Sequence, residues 1–216
     1  MVQFRIAVMA SVGYYGFLRF QELQNLRLRD VSFESDSLSL YIEQSKTDPY
    51  RRGNQVTLGK PGDVDFPYTQ FSKYLAMAQS SFSSDVFIFC KLHHTRSGLF
   101  KFLPGTRLSH SIAMSNFRAA VADIVVDDPN RLGLHSLRRG GASLAANSGV
   151  SLDLLQKHGR WLCASSRDCY IQDERHRRLR VTNAQCLHTM LRRRKLPSLQ
   201  YLFSFRFAIV FLFLLR

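Results

Sequence analysis

Apolar residues recur at mixed spacings of three and four through the first 28 positions, in RIAVMASVGYYGFLRFQELQNLRL, a pattern that predicts helix. Gly13 and Gly16 are expected to mark a break between two helices. The short stretch 30–36 is polar-mixed, and the period then changes. SLSLYIEQ (37–44) alternates apolar with polar, which predicts a strand. The turn-rich SKTDPYRRGN (45–54) leads to a return strand, QVTL (55–58), giving a small antiparallel sheet with a basic hairpin tip. TQFSKYLAMAQ (69–79) predicts a helix with Thr69 as N-cap. Residues 80–108 mix Phe, Ser, His and cations without a period and are expected to be irregular, with DVFIFC (85–90) as a short buried segment. A helix is predicted over 109–125, closed by a loop at 127–130. Three short helices follow. The first, 136–147, is closed by Ser148 and Gly149; the second, 151–158, by Gly159; the third, 165–171, opens with Ser165 and Asp168 in capping-box spacing. The fold class expected from this order is α+β, predominantly α-helical with a small antiparallel sheet. It forms one domain over 1–195, followed by an apolar tail at 196–216.

At 216 residues the chain is long enough for a sizeable core, and 45% hydrophobic content excludes a disordered chain. The 30 Lys and Arg against 16 Asp and Glu give a net charge of +14. That excess points to nucleic acid as partner, and less often to an anionic membrane. The four cysteines, Cys90, Cys163, Cys169 and Cys186, form no CxxC pair and show no zinc-ligand spacing, so no metal or other cofactor is expected. The first residues lack the pattern of a secretory signal, and an intracellular location with reduced thiols is expected. The tail residues YLFSFRFAIVFLFLL (201–215) are interrupted by Arg206, which leaves an apolar run of nine. A membrane span needs about 20, so a buried or partner-docked tail, or sequence foreign to the domain, is expected instead.

Five features carry candidate chemistry. Arg19 and Glu22, in GFLRFQEL, are three apart and share a helical face, as an ordinary surface ion pair also does. Lys46 lies on the hairpin tip, where most lysines are merely solvated. His135 and Arg138, in GLHSLRRGGAS, are three apart at a helix start. Gly140 and Gly141 follow early in that helix, each costing roughly 1 kcal/mol relative to Ala, which implies close approach of backbone or ligand. Trp161, the only tryptophan, stands in KHGRW, and Tyr170 follows nine residues later; alone, each reads as structural.

In this order, the segments GFLR, SKTD, GLHSLRRGGA and HGRW with the later Tyr170 resemble the catalytic domain of the tyrosine recombinases, the phage-integrase family. The eukaryotic mobile-element type is the most similar. The resemblance runs from about residue 4 to about residue 187 and implies the fold of a DNA breaking-rejoining catalytic domain. It implies Arg19, Lys46, His135, Arg138, Trp161 and Tyr170 as catalytic residues, with Glu22 as a supporting brace. Tyr170 is then the nucleophile of a 3′-phosphotyrosyl intermediate in site-specific recombination or integration. Double-stranded DNA is the implied partner, a homo-oligomer (a tetramer on DNA) the implied active assembly, and the nucleus the location in a eukaryote. Arg51, Arg52, Arg139, Arg175, Arg177 and Arg178 are candidate DNA contacts.

The residue types suit that chemistry. Guanidinium forks grip non-bridging phosphate oxygens bidentately and keep their charge. A tyrosine hydroxyl in water is only about 0.1% ionised at pH 7, so a nucleophilic tyrosine needs a base and positive surroundings. His135 and the two arginines supply both, and Lys46 is placed to protonate the leaving 5′ oxygen. Two other readings stay open: a non-catalytic DNA-binding remnant or domesticated domain without its N-terminal clamp, and a type IB topoisomerase-like activity.

Overall fold

The computed structural model of the chain describes residues 1–46, 48–60, 67–78, 83–122, 128–175 and 178–180. Arg177 and the tail at 196–216 lie outside the described residues. Helix α1 (Val2–Tyr15) buries most of its surface, with Ile6, Val8, Met9 and Val12 all enclosed, and leaves a narrow stripe at Gln3 and Ala7 exposed. Gly13 does not break this helix. It is buried within α1, where an added methyl would stand 3.1 Å from Leu23 Cδ1, so its smallness serves packing. The helix ends at Gly16, and α2 (Phe20–Asn25) starts after a tight turn in which Phe17 takes a positive φ of 48°.

A 3-10 turn (Leu28–Asp30) leads into the sheet formed by β1 (Val31–Phe33), β2 (Ser37–Ile42) and β3 (Asn54–Gly59). Its order is β1-β2-β3, antiparallel throughout, with Leu38 opposite Leu58 and Leu40 opposite Val56. The expected hairpin is present, and β1 is an addition too short to show a period. Helix α3 (Tyr68–Ala78) begins at Tyr68, which places Thr69 inside its first turn rather than at the N-cap.

Residues 80–108 are not irregular throughout. β4 (Cys90–His94) and β5 (Phe100–Arg107) pair antiparallel, with a register shift between Cys90 and Lys91. The buried segment before them is as expected, with Ile88, Phe89 and Cys90 fully enclosed. Helix α4 (His110–Ala122) and a 3-10 turn (Pro129–Arg131) lead to α5 (Leu134–Asn147), which starts two residues before the expected 136. In α6 (Leu152–Gly159), Gly159 is the last helical residue and Arg160 takes the left-handed conformation, at φ 57° and ψ 37°. In α7 (Ala164–Asp168) the N-cap is Cys163, so the Ser165–Asp168 capping box does not form.

Two cores result. The larger surrounds α1, which packs against α3, α4 and α5. The smaller joins Phe17, Ala142, Ala146, Leu155 and Trp161, with Tyr170 and Ile171 packed on its edge. Gly141 makes this second core possible. A methyl there would stand 2.1 Å from the Tyr14 carbonyl oxygen and 3.0 Å from the Phe17 ring, so α5 meets the end of α1 at backbone distance. This is the close approach that the paired glycines imply. Among the described residues, no helix is long and apolar enough to cross a membrane.

Candidate active site

Four of the six candidate catalytic residues converge on the smaller core. The guanidinium of Arg138 lies 4.7 Å from the Trp161 ring centre and 5.0 Å from that of Tyr170. The Tyr170 ring is 5.3 Å from Trp161 and 5.2 Å from His135, centroid to centroid. His135 and Arg138 come from the first turns of α5, Trp161 from the end of α6, and Tyr170 from just after α7. Tyr170 is fixed through its backbone: its carbonyl accepts from Ser143 Oγ at 3.0 Å, and that oxygen also accepts from the Gln172 N–H at 2.9 Å. The Tyr170 side chain stays half-buried at the rim.

Arg19 does not sit on a helical face beside Glu22. It is the extended N-cap of α2, and Glu22 folds back onto it. Glu22 Oε2 accepts the Arg19 N–H at 2.9 Å, and Oε1 accepts Arg19 Nη1 at 3.0 Å. Glu22 is itself buried, so the pair is not the surface ion pair that spacing alone allows.

The residue that sequence reasoning missed is Arg160. It is buried, and its Nη2 donates to Glu22 Oε2 at 2.8 Å. Glu22 is therefore shared by two guanidiniums. The HGRW segment stitches the α1–α2 turn carbonyl by carbonyl. His158 Nε2 donates to the Tyr15 carbonyl at 2.8 Å, and Arg160 donates to those of Gly16 and Phe17, both at 3.3 Å. Arg138 Nη1 donates to the same Phe17 carbonyl, and its Nη2 to the Gly159 carbonyl at 2.6 Å. Gly159 has no room for a side chain, since a methyl would lie 2.0 Å from the Trp161 ring.

The site is electrostatically positive. Three guanidiniums, of Arg19, Arg138 and Arg160, face one carboxylate, Glu22. Arg138 is fully buried, and its pKa is lowered to about 10 by burial first and then by Arg19 and Arg160, against the pull of Glu22. The same cations act on His135. Burial, then Arg138, Arg19 and Arg139, push its pKa below the usual value. Arg138 Nε and Trp161 Nε1 are among the buried N–H donors that have no partner among the described residues. An anion-sized group brought to this cluster finds excess positive charge and unspent donors.

The remaining candidates lie further out. Lys46 is exposed on the β2–β3 connection, and among the described residues no hydrogen bond, ion pair or ring contact links it to the cluster. Arg51 is on the same connection and lines a polar cleft of about 240 Å³ with Glu22, Asn25, Tyr41 and Arg107. Arg52 is exposed, its guanidinium 5.6 Å from the Tyr50 ring. Arg139 is exposed on α5, and Arg175 and Arg178 are exposed beyond Tyr170. Among the described residues no three His, Cys, Asp or Glu side chains gather as a metal-binding group.

Comparison with known proteins gives a consistent result. The family model described as the phage integrase family matches residues 2–177. No curated protein matches the chain by sequence. The XerH site-specific recombinase, bound to palindromic difH substrate in a post-cleavage complex, is similar at a TM-score of 0.62 and 15% identity, over 83% of this chain and 45% of that one. The XerA recombinase is similar at a TM-score of 0.60 and 16% identity, over 89% of this chain and 60% of that one. The Tn1549 transposon integrase, in complex with circular intermediate DNA, is similar at 0.54 and 14%, over 82% and 57%. At these identities the likeness is one of fold, and the chain spans about half the length of the solved structures it matches.

Proposed function

This chain belongs to the phage integrase family, whose model covers residues 2–177, and on that premise we propose that it breaks and rejoins DNA strands through Tyr170. One observation carries the reading: His135, Arg138, Trp161 and Tyr170 meet beside a site where three guanidiniums face one carboxylate. In the proposed reaction the Tyr170 oxygen attacks a backbone phosphorus, forming a 3′-phosphotyrosyl bond as the bond to the 5′ oxygen breaks. His135 takes the phenolic proton, and Lys46 protonates the leaving 5′ oxygen, which requires the β2–β3 connection to swing in with the duplex. The phosphate charge that develops is met by Arg19, Arg138 and the Trp161 N–H. In the described conformation the Tyr170 ring lies over Arg138. Moving its hydroxyl onto phosphorus uncovers that guanidinium. Bond energy is kept in the phosphotyrosine, so religation needs no ATP. The exposed Arg51, Arg52, Arg139, Arg175 and Arg178 are proposed to grip the flanking duplex, and each phosphate neutralised steepens the salt dependence. A homo-oligomer on DNA and recombination or integration of a mobile element complete the proposal.

The test is cleavage of nicked duplexes in EDTA. The reading expects breaks carrying protein on the 3′ side and a free 5′ hydroxyl, with EDTA making no difference. Breaks that need a divalent cation, or that leave a 5′ phosphate, would replace it with another chemistry.

A pH dependence follows from His135. Burial and its arginine neighbours favour the neutral imidazole, the form that accepts a proton. Cleavage is expected to be flat through neutral pH and to fall only below about pH 6.5, the ordinary histidine value. A single-turnover pH profile checks this. A rate that rises on acidification would assign the proton transfer elsewhere.

A further inference from the structure

Arg160 occupies a left-handed backbone conformation, at φ 57°, that a glycine adopts without penalty and that strains a residue with a side chain. The chain nevertheless places there a long, charged side chain and buries it. That combination implies a return from the side chain, and the contacts show what it is. One guanidinium reaches Glu22 at 2.8 Å, the carbonyls of Gly16 and Phe17 at 3.3 Å, and that of His158 at 3.0 Å. Glu22 holds the backbone and side chain of Arg19, and the Phe17 carbonyl receives Arg138. Phe17 is itself in a positive-φ conformation, at 48°. Two strained residues from distant parts of the chain are thus locked together, with the two phosphate-facing arginines hung on either side of the lock.

We propose that Arg160 is a positioning residue that sets Arg19, through Glu22, and Arg138, through the Phe17 carbonyl, in register with Tyr170. It does not touch the scissile phosphate. It joins the α1–α2 half of the site, which carries Arg19, to the α6–α7 half, which carries Trp161 and Tyr170. The planar fork matters, since its separate nitrogens reach Glu22 and the turn carbonyls at once, whereas an ammonium gathers its donors on one nitrogen. The inference rests on the proposed cleavage chemistry.

The test compares wild type, Arg160→Gly, Arg160→Lys, Glu22→Gln and the Arg160→Gly/Glu22→Gln double variant. Glycine removes the side chain but relieves the left-handed strain, so the variant is expected to fold. DNA affinity is expected to stay within about threefold, because the lost cation is buried. Single-turnover cleavage is expected to drop at least tenfold in Arg160→Gly, with partial recovery in Arg160→Lys. The double variant is expected to lose less than the product of the two single losses, since Arg160 reaches Arg19 only through Glu22. Wild-type cleavage in Arg160→Gly, or losses that multiply in the double variant, would overturn the role.

A second readout needs no turnover. Trp161 is the sole tryptophan and stacks on Arg138, so release of Arg138 raises its acrylamide quenching. A rise of about twofold is expected in Arg160→Gly. If the wild type forms no phosphotyrosyl adduct, the cleavage reading fails, and this arm still decides: unchanged quenching overturns the positioning role.

Discussion

Arg138→Lys is expected to bind DNA within about threefold of wild type while losing cleavage by about a hundredfold or more. The substitution keeps the charge and removes the fork. Arg138 now serves the Phe17 and Gly159 carbonyls with two nitrogens and stacks its plane on Trp161 and Tyr170, while its third nitrogen has no partner among the described residues. A lysine ammonium carries its three donors on one nitrogen, so it cannot span the two carbonyls as the fork does, has no plane to stack, and cannot grip a phosphate with two parallel N–H donors from separate nitrogens. The binding surface is left alone, since Arg138 is fully buried and the duplex contacts are proposed to lie on the exposed arginines. A filter-binding titration beside single-turnover cleavage separates the two quantities. Equal losses in both would make Arg138 a binding residue, and wild-type cleavage would remove it from the chemistry.

The second large effect is on stability. Gly141→Ala is expected to destabilise the fold by about 3 kcal/mol or more. The added methyl would meet a backbone oxygen, that of Tyr14, at 2.1 Å, and the Phe17 ring at 3.0 Å. A ring can turn aside, but the oxygen moves only with α1 itself. Relief requires α5 to lift off the end of α1, which opens the core under Trp161. Gly140→Ala is the control. Its nearest neighbour is the Tyr14 ring at 3.2 Å, a group that can rotate, and the gain in helix propensity offsets part of the contact. Urea denaturation of the two variants is expected to separate them clearly. Equal midpoints would mean that the α1–α5 contact is looser than described.

The site was more legible in the sequence than the fold around it. Arg19, Glu22, His135, Arg138, Trp161 and Tyr170 stand in short segments that the sequence singles out. Glu22 pairs with Arg19 by folding back onto the N-cap of α2, and tertiary packing rather than helical spacing gathers the other four. Arg160 was hidden for a physical reason. Its role depends on one left-handed residue after α6, and nothing in HGRW fixes that angle without the turn it packs against. Lys46 shows the reverse limit. Its motif is plain, but the fold leaves it exposed on the β2–β3 connection, with no contact to the cluster among the described residues.

The β4–β5 hairpin was missed because its pattern is masked. Only Cys90, Leu92 and Phe102 mark the covered face, the register shifts between Cys90 and Lys91, and Phe100 and Leu103 are exposed apolar residues that blur the alternation. By contrast α1 was read correctly as helix. Its apolar residues spread round most of the helix, which weakens a one-sided pattern, because most of the surface beyond a narrow stripe at Gln3 and Ala7 is covered. Gly13 was misread as a break because the same enclosure makes a small residue useful inside the helix.

The central claim is that Tyr170 becomes covalently joined to DNA, and a trapping experiment tests it most directly. Nicked duplexes of randomised sequence are incubated with the full chain in EDTA, beside Tyr170→Phe, and resolved in SDS. The account predicts an SDS-resistant protein–DNA adduct in the wild type, absent in Tyr170→Phe, with the DNA-bearing peptide mapping to Tyr170. An adduct that persists in Tyr170→Phe, or DNA binding without any adduct in the wild type, would contradict it.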